Sequence, residues 1–236
     1  MQTLPDTSAS NESCWDDHTR RERRKDARPG ELLAAALDLF VEKGFAATRV
    51  DDVARRAGVS KGTLFLYFPS KEELFKAVVR ANISGRFAEW DAEIDQFVGS
   101  SHEMLHYCLH SWWERIGATK ASGIPKLMMS EAHNFPELAR FYHSEVMQPG
   151  SALIERILRL GIDRGEFRAM DLRYGVLMVM APLLFLAMSK HSMGSSSCGL
   201  LQIDPRQYLA TQYEVLIAGF GTNPASAPTH TEPMPT

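Results

Sequence analysis

Residues 50–74, VDDVARRAGVSKGTLFLYFPSKEEL, contain two short helical patterns separated by AGVS. In the first pattern apolar residues recur at i, i+3, i+4 and i+7, the spacing of one helical face, at Val50, Val53, Ala54 and Ala57. Each segment is shorter than the roughly 12–15 residues that an isolated helix needs in water, so each must pack on a neighbour. Two short helices joined by a turn that contains Gly predict a helix-turn-helix, a motif whose second helix enters the major groove of DNA.

Helical patterns on both sides of this stretch supply the packing partners. A helix is predicted from Pro29, a residue that suits the first position of a helix, to Gly44, which suits its end. Its inner face carries Leu32, Leu33, Ala36, Leu37 and Phe40. On the other side, Ser70 and Glu73 have the spacing of a capping box, and they predict one long helix over residues 70–97.

The composition is typical of a soluble globular protein of one or two domains, with 236 residues, 44% hydrophobic content and a net charge of −3. The three cysteines are far apart, and the N-terminus carries no secretory apolar segment, which together predict a reducing cytoplasm. The longest apolar run, residues 176–188, is shorter than the ~18–20 residues of a membrane span. We therefore expect a cytoplasmic protein with no membrane partner.

Basic charge is concentrated around the predicted helix-turn-helix. Residues 20–80 carry 14 basic and 9 acidic side chains, whereas the chain as a whole has more acidic than basic residues. The densest part, RRERRKDAR at residues 20–28, directly precedes the first helical pattern. Such a run is typical of contact with phosphates, and equally of a solvated arm.

The segment GELLAAALDLFVEKGFAATRVDDVARRAGVSKGTLFLYFPSKEELF, residues 30–75, resembles the DNA-binding domain of the TetR family of transcriptional repressors. The matching positions are Gly44–Phe45, Thr48, Val53–Ala54, Ala57–Gly58–Val59–Ser60, Gly62–Thr63–Leu64, Tyr67–Phe68 and Lys71. Residues 130–167 resemble the C-terminal half of such regulators. The resemblance implies an all-α homodimer, with a three-helix DNA-binding domain that contains the helix-turn-helix and a larger helical domain for ligand binding and dimerisation.

The resemblance also implies, position by position, which residues contact double-stranded operator DNA. With Arg28 added from the basic run, the predicted DNA contacts are Arg28, Thr48, Ser60, Lys61, Gly62, Thr63, Leu66, Tyr67 and Lys71. Lys61 can donate to guanine, and Thr63 can offer its hydroxyl or its methyl group to a base edge. Thr48, Tyr67 and Lys71 match positions that contact phosphates. Phe65 stands where a tyrosine is common, which removes one possible phosphate contact.

The C-terminal half combines aromatic and thioether side chains, as apolar ligand sites do. The predicted ligand contacts are His106, Trp112, Trp113, Met128, Met129, His133, Phe135 and Tyr142. Pro149–Gly150 is predicted to break the helix that begins at Pro136. Two last helices, over residues 171–191 and 204–220, carry apolar residues on more than one face, which predicts a four-helix contact between two copies.

A second motif favours a different chemistry. HEMLH, residues 102–106, is the H-E-x-x-H pattern that places two His on one helical face for zinc, with Glu103 as general base. Glu131 or His133 could supply a third ligand, although apolar residues on the same helix give it an ordinary core face. The alternative function is therefore a metal-dependent hydrolase or a metal-sensing regulator that uses His102, Glu103 and His106. A helical interaction module without DNA binding is a further alternative.

The sequence thus predicts a disordered tail over residues 1–25, a helix-turn-helix DNA-binding domain over 26–72, a helical ligand-binding and dimerisation domain over 73–220 and a second disordered tail over 221–236. The predicted function is a ligand-responsive transcriptional repressor. It binds palindromic operator DNA as a homodimer and is released by a small apolar or aromatic effector. We expect no enzymatic activity, no catalytic residue, no metal and no cofactor.

Overall fold

A computed structural model describes residues 12–192 and 203–222, with side chains described from Pro29 to His191 and from Ile203 to Thr222. Within these ranges the chain is helical and forms no β-strand, although an isolated antiparallel bridge joins Phe167 and Gly221. The prediction of an all-α fold with a helix-turn-helix is confirmed.

The helices of the described residues are α1 (Glu12–Ala47), α2 (Val50–Arg56), α3 (Lys61–Tyr67), α4 (Lys71–Asn82), α5 (Phe87–Asp95), α6 (Ser101–Trp112), α7 (Gly123–Glu131), α8 (Pro136–Tyr142), α9 (Gln148–Asp163), α10 (Leu172–Ser192) and α11 (Pro205–Phe220). Two short 3₁₀ turns and two π-helical segments lie between them, at Ser84–Arg86, Lys120–Ser122, Trp113–Gly117 and His143–Met147. The chain divides into an N-terminal unit, Met1–Val78, and a C-terminal unit, Val79–Thr236.

The core of the N-terminal unit is aromatic. The rings of Phe40, Phe45 and Phe75 lie with their centroids 5.3 to 5.6 Å apart, and all three side chains are fully buried. Val53 of α2 and Leu64 of α3 are buried as well. Because α2 and α3 have only seven residues each, their stability comes from this burial rather than from their own propensity.

Two expectations for helix bounds are corrected. The first helix begins at Glu12 rather than at Pro29, since the Arg, Lys, Glu and Ala residues that precede Pro29 are good helix formers. The predicted tail over residues 1–25 stays a prediction, and residues 1–11 and 223–236 lie outside the described residues. The single helix over 70–97 is wrong, because the chain breaks at Ile83 and continues through a 3₁₀ turn into α5. The break falls in NISG, where a β-branched residue, Ser and Gly all disfavour a helix.

The C-terminal unit is built around α9. This helix packs on α6 and α10, while α10 also packs on α7 and α11. The helical path from Pro136 passes through the π-helical segment His143–Met147, and α9 begins just before Pro149. Proline lacks the N–H that an α-helix would donate to the carbonyl four residues earlier, so the wider turn precedes it. The predicted break at Pro149–Gly150 is wrong, because the helical path continues through these residues and only widens into π-helical turns before them.

The two last predicted helices are confirmed as α10 and α11. By length and composition α10 is the one helix of the described ranges that could cross a membrane, over Leu172–His191, and a third of that window is buried. The core helix of a globular protein passes the same test. Several large apolar side chains of α10 and α11 are exposed, namely Tyr174, Leu177, Met178, Phe185 and Val215.

The turn at the end of α1 provides the first test of this fold. Gly44 has φ 83° and ψ 168°, a conformation essentially restricted to glycine. Replacing Gly44 by Ala should therefore lower the free energy of unfolding by about 1–3 kcal/mol, measured by urea denaturation followed by circular dichroism. Gly30→Ala is the matched control, because an added methyl at this α1 position meets nothing within 4 Å. Equal stability of the two variants would contradict the strain assigned to Gly44.

Candidate functional site

The exposed side of α3 is the first candidate site. Ser60 caps the helix, since its hydroxyl accepts a hydrogen bond from the backbone N–H of Thr63 at 3.0 Å. The cap places Lys61 and Gly62 in the first turn with exposed surfaces. Leu66 is 85% exposed, which is unusual for a leucine on a short helix that depends on burial. The helix therefore presents an outward face of small, basic and apolar groups, suited in size to a groove.

Lys61 is held by an acidic neighbour. Its ammonium lies 3.0 Å from a carboxylate oxygen of Asp51 on α2, and both side chains are about half exposed. An exposed ion pair of this kind contributes about 0–1 kcal/mol, so Lys61 can exchange Asp51 for another acceptor at little cost. Asp52 is paired with Lys43 and Arg55 in the same way. These contacts leave the prediction for Lys61 open.

Thr48 lies in the interior rather than on the surface. Its side chain is 2% exposed, and its hydroxyl lies 2.7 Å from the carbonyl oxygen of Gly44 and 3.1 Å from that of Leu39. In this arrangement the hydroxyl donates to the end of α1. Its burial gives no support to a phosphate contact through the side chain.

Lys71 contacts the same end of α1. Its ammonium donates to the carbonyl oxygens of Phe45 at 2.8 Å, Thr48 at 3.2 Å and Ala46 at 3.3 Å, and it lies 4.4 Å from the centre of the Phe45 ring. These carbonyls follow the break at Gly44, and that of Phe45 also accepts from the backbone N–H of Thr48 at 3.3 Å, so the lysine adds a charged donor to this turn. A lysine has three N–H donors, and three carbonyl oxygens lie within hydrogen-bond distance of this ammonium. The phosphate contact predicted for Lys71 would have to replace at least one of them.

Two further predicted DNA contacts, Tyr67 and Arg28, give less support to a DNA-binding surface. Tyr67 is half-buried at the last position of α3. Arg28 lies in α1, ahead of the first described side chain, so its prediction lies outside the described residues.

A cavity of about 370 Å³ in the C-terminal unit is the second candidate site. This volume falls within the ~300–1,000 Å³ range of small-molecule sites. Its wall is formed by Ile83, Phe87, Trp90, Cys108, Leu109, Trp112, Ile116, Pro125, Met128, Met129, Ala132, Ala139, Tyr142, Val146, Met147, Gly150, Leu153, Ile154, Met180, Leu183 and Leu184. Side chains from α5 to α10 thus enclose one apolar space.

The structure brings together half of the predicted ligand contacts. Trp112, Met128, Met129 and Tyr142 line the cavity, whereas His106, Trp113, His133 and Phe135 are not part of its wall. His133 is exposed, and His106 is exposed beside His110 and Tyr213. Phe87, Trp90 and Met180 also line the cavity, although they were not among the predicted ligand contacts. Helical spacing identifies inward residues, but it carries no signal that separates a core contact from a cavity wall.

The residues of the HEMLH stripe, 102–106, make local contacts within the fold. The carboxylate of Glu103 accepts from the backbone N–H and the hydroxyl of Ser100, at 2.8 and 2.9 Å, which completes a capping box and lowers the pKa of Glu103. The ring of His102 lies against Phe167, whereas the ring of His106 lies against His110. Partial desolvation by its neighbours, and then the charge of His110, lower the pKa of His106. Among the described residues no cluster of three or more metal-ligating side chains forms.

Fold and sites together define a two-unit helical protein, with a helix-turn-helix in one unit and an apolar cavity in the other. Residues 32–78 match the family model of bacterial regulatory proteins, tetR family, and residues 98–195 match that of the tetracyclin repressor-like C-terminal domain. The chain is 30% identical over 143 residues to the HTH-type transcriptional repressor KstR2 of Mycobacterium tuberculosis, which covers 60% of this chain and 70% of KstR2. The chain belongs to the tetR family.

Two further comparisons show how the likeness is distributed. The HTH-type transcriptional regulator RutR of Escherichia coli K12 is 49% identical over 61 residues, which is 26% of this chain and only 29% of RutR. The crystal structure of FadR from Bacillus subtilis in complex with stearoyl-CoA superimposes with a TM-score of 0.59 at 19% identity, over 80% of this chain and 97% of that chain. The likeness to RutR thus covers a short segment, and the likeness to FadR concerns the fold alone.

The contrast between Lys71 and Lys61 gives a test of their roles. Replacing Lys71 by Met should lower the free energy of unfolding by about 1.5–3 kcal/mol, because the carbonyls at the end of α1 lose a charged donor. Lys61→Met is the matched control and should change it by less than about 1 kcal/mol, since only an exposed ion pair is lost. Both values come from denaturant titration. Equal effects of the two substitutions would show that Lys71 does not stabilise the helix end.

Proposed function

We propose that the protein is a transcriptional regulator that binds DNA through α3. The observation that carries the proposal is the capped, outward α3, on which Lys61, Gly62 and the 85%-exposed Leu66 stand free of the core. Lys61 supplies a donor to base edges, Thr63 a hydroxyl and a methyl group, and Gly62 lets the backbone approach closely. Cytoplasmic location follows from this role. No enzymatic activity is proposed, because Glu103 of the HEMLH stripe is engaged in a capping box.

The protein acts as a homodimer in this proposal. The exposed apolar side chains of α10 and α11 are too many for a surface in water, and pairing with a second copy would bury them in a four-helix contact. The same contact accounts for the apolar composition of α10 without a membrane. A twofold dimer presents two copies of α3, so its DNA site is palindromic.

The cavity is the proposed effector site, and its occupant lowers DNA affinity, which makes the protein a repressor that is released by a ligand. KstR2 is described as a repressor, and FadR was crystallised with stearoyl-CoA. The apolar wall described here supports an effector with an apolar or aromatic body. A ligand changes DNA binding only through its different affinities for the DNA-binding and the released conformation.

An ion pair offers a route from the cavity to α4. The guanidinium of Arg80, in the last turn of α4, donates to both carboxylate oxygens of Glu145, at 2.8 and 2.5 Å. Glu145 lies in the π-helical segment His143–Met147, whose next residues, Val146 and Met147, line the cavity. A ligand that displaces this segment would pull on α4, and α4 begins at Lys71, which holds the end of α1. We therefore propose that effector binding acts through Arg80 and Glu145.

The DNA proposal is tested by selecting bound sites from random duplex DNA. The protein should enrich a palindrome whose half-site centres are about 34–36 Å apart, or a multiple of that distance. Lys61→Ala and Thr63→Ala should each alter the preferred sequence, at a cost of about 1–3 kcal/mol for a lost base contact. Lys120→Ala, which removes a lysine of the C-terminal unit, should select the same sequence as the original protein. Unchanged sequence preference in both α3 variants would refute the assignment of α3.

The effector proposal is tested by screening acyl and aromatic compounds for release of the selected DNA. An active compound should weaken DNA binding about 5–150-fold, the usual range of coupling between two sites. Met128→Ala should reduce this response, because Met128 lines the cavity, and should leave DNA affinity without the compound unchanged. His133→Ala is the control, since His133 is exposed and outside the wall. A response that depends on His133 and not on Met128 would place the effector elsewhere.

A further inference from the structure

The cavity wall carries no charge. None of the described side chains that line it belongs to Asp, Glu, Lys, Arg or His, and none is an amide. The groups with a polar atom are the phenol of Tyr142, the indoles of Trp90 and Trp112 and the thiol of Cys108. Burial raises the pKa of Cys108 to about 12, so the thiol is neutral as well. The wall therefore has no group that could neutralise a charged ligand.

Three arginines around the cavity are paired with carboxylates, while Lys126 of α7 and Lys190 of α10 donate to backbone carbonyl oxygens. Arg80 contacts Glu145, and Arg115, in the π-helical segment after α6, contacts Glu93 of α5 at 2.7 Å. The guanidinium of Arg156 of α9 lies 2.8 Å from a carboxylate oxygen of Asp95. A ligand anion would have to break one of these contacts, and an unpaired ion in an apolar space is strongly disfavoured.

Tyr142 supplies a polar contact that the protein leaves unused. Its side chain is 8% exposed and lies on the cavity wall, and among the described residues its hydroxyl has no hydrogen-bond partner. Burial alone raises the pKa of Tyr142, with no contribution from a neighbouring acceptor or charge. A phenol hydroxyl on an apolar wall usually finds a partner, and a ligand atom in the cavity is the group that would supply it. The indole N–H of Trp90 is likewise buried without a partner among the described residues.

We infer that the effector is an electrically neutral molecule, whose apolar body fills the cavity and whose carbonyl, ester or hydroxyl oxygen hydrogen-bonds with the hydroxyl of Tyr142. The inference rests on the proposed function, because it names the ligand class of the same cavity. Carboxylates, ammonium compounds and the charged part of a coenzyme A ester are excluded from the interior. A ligand with a charged head could bind only with that head outside, and Tyr142 would then remain unpaired.

The experiment compares three probes of equal chain length: 2-nonanone with one acceptor, nonane with none, and nonanoate with a charge. Binding to the full chain without DNA is followed by tryptophan emission, since Trp90 and Trp112 line the cavity. We expect 2-nonanone to bind about 2- to 10-fold more tightly than nonane, the gain of one neutral hydrogen bond. Nonanoate should bind at least about tenfold more weakly than 2-nonanone.

Tyr142→Phe removes the hydroxyl and keeps the ring. It should remove the difference between 2-nonanone and nonane while leaving nonane binding unchanged. Tyr213→Phe is the matched control, because Tyr213 of α11 lies beside His106 and does not line the cavity, and it should preserve that difference. The nonane measurement also reports whether the cavity of the Tyr142 variant is intact, so a folding defect is separated from a lost hydrogen bond.

Three outcomes would overturn the inference: nonanoate that binds as tightly as 2-nonanone, a ketone preference that survives in Tyr142→Phe, or no binding of any probe. The first would show that a charged head is accommodated outside the cavity. None of these outcomes bears on binding of α3 to DNA. Conversely, a ketone that binds as expected but never alters the affinity for the selected DNA would refute the proposed regulation and leave the ligand class supported.

Discussion

The carbonyl groups at the end of α1 must be satisfied before α2 and α3 can present a surface to DNA. An α-helix leaves its last carbonyls without partners, and here the chain turns sharply at Gly44 to begin the helix-turn-helix. Two side chains donate hydrogen bonds to carbonyl oxygens at this end: the hydroxyl of Thr48, which precedes α2, and the ammonium of Lys71, which follows α3. The Phe45 ring packs beneath them in the aromatic core. Two short helices are thus fixed by polar contacts at one end and by burial along their length.

The contacts of Lys71 with these carbonyl oxygens affect its predicted role in DNA binding. A lysine that donates to three carbonyls is a poor candidate for a free phosphate contact, but it is positioned at the start of α4. Any movement of α4 along its axis would shift the ammonium against the end of α1. Lys71 and Arg80, the residue of the proposed effector response, thus lie near opposite ends of α4. In this view its role is positioning rather than recognition.

The sequence predicted the N-terminal unit well because its patterns reflect local physics. The inward face of α2 with Val53 and Ala54 and the glycine-containing turn before α3 both follow from helix geometry and were found as expected. Only half of the predicted ligand contacts line the cavity. A helical stripe shows which side chains face inward, yet Trp90 and Leu158 share that pattern although only Trp90 lines the cavity. Whether facing residues meet or leave space depends on how helices cross, which no single helix encodes.

The HEMLH motif shows how one side chain can satisfy two patterns. Ser100 stands three residues before Glu103, so the same glutamate completes a capping box, a signal that was present in the sequence. A carboxylate that accepts two hydrogen bonds from Ser100 is held at the helix start, with its pKa lowered. A general base needs a pKa nearer to neutrality and a free lone pair directed at water. The capping contacts, both to Oε2, lower the pKa and so work against the first requirement, and the helix start explains Glu103 more fully than zinc chemistry does.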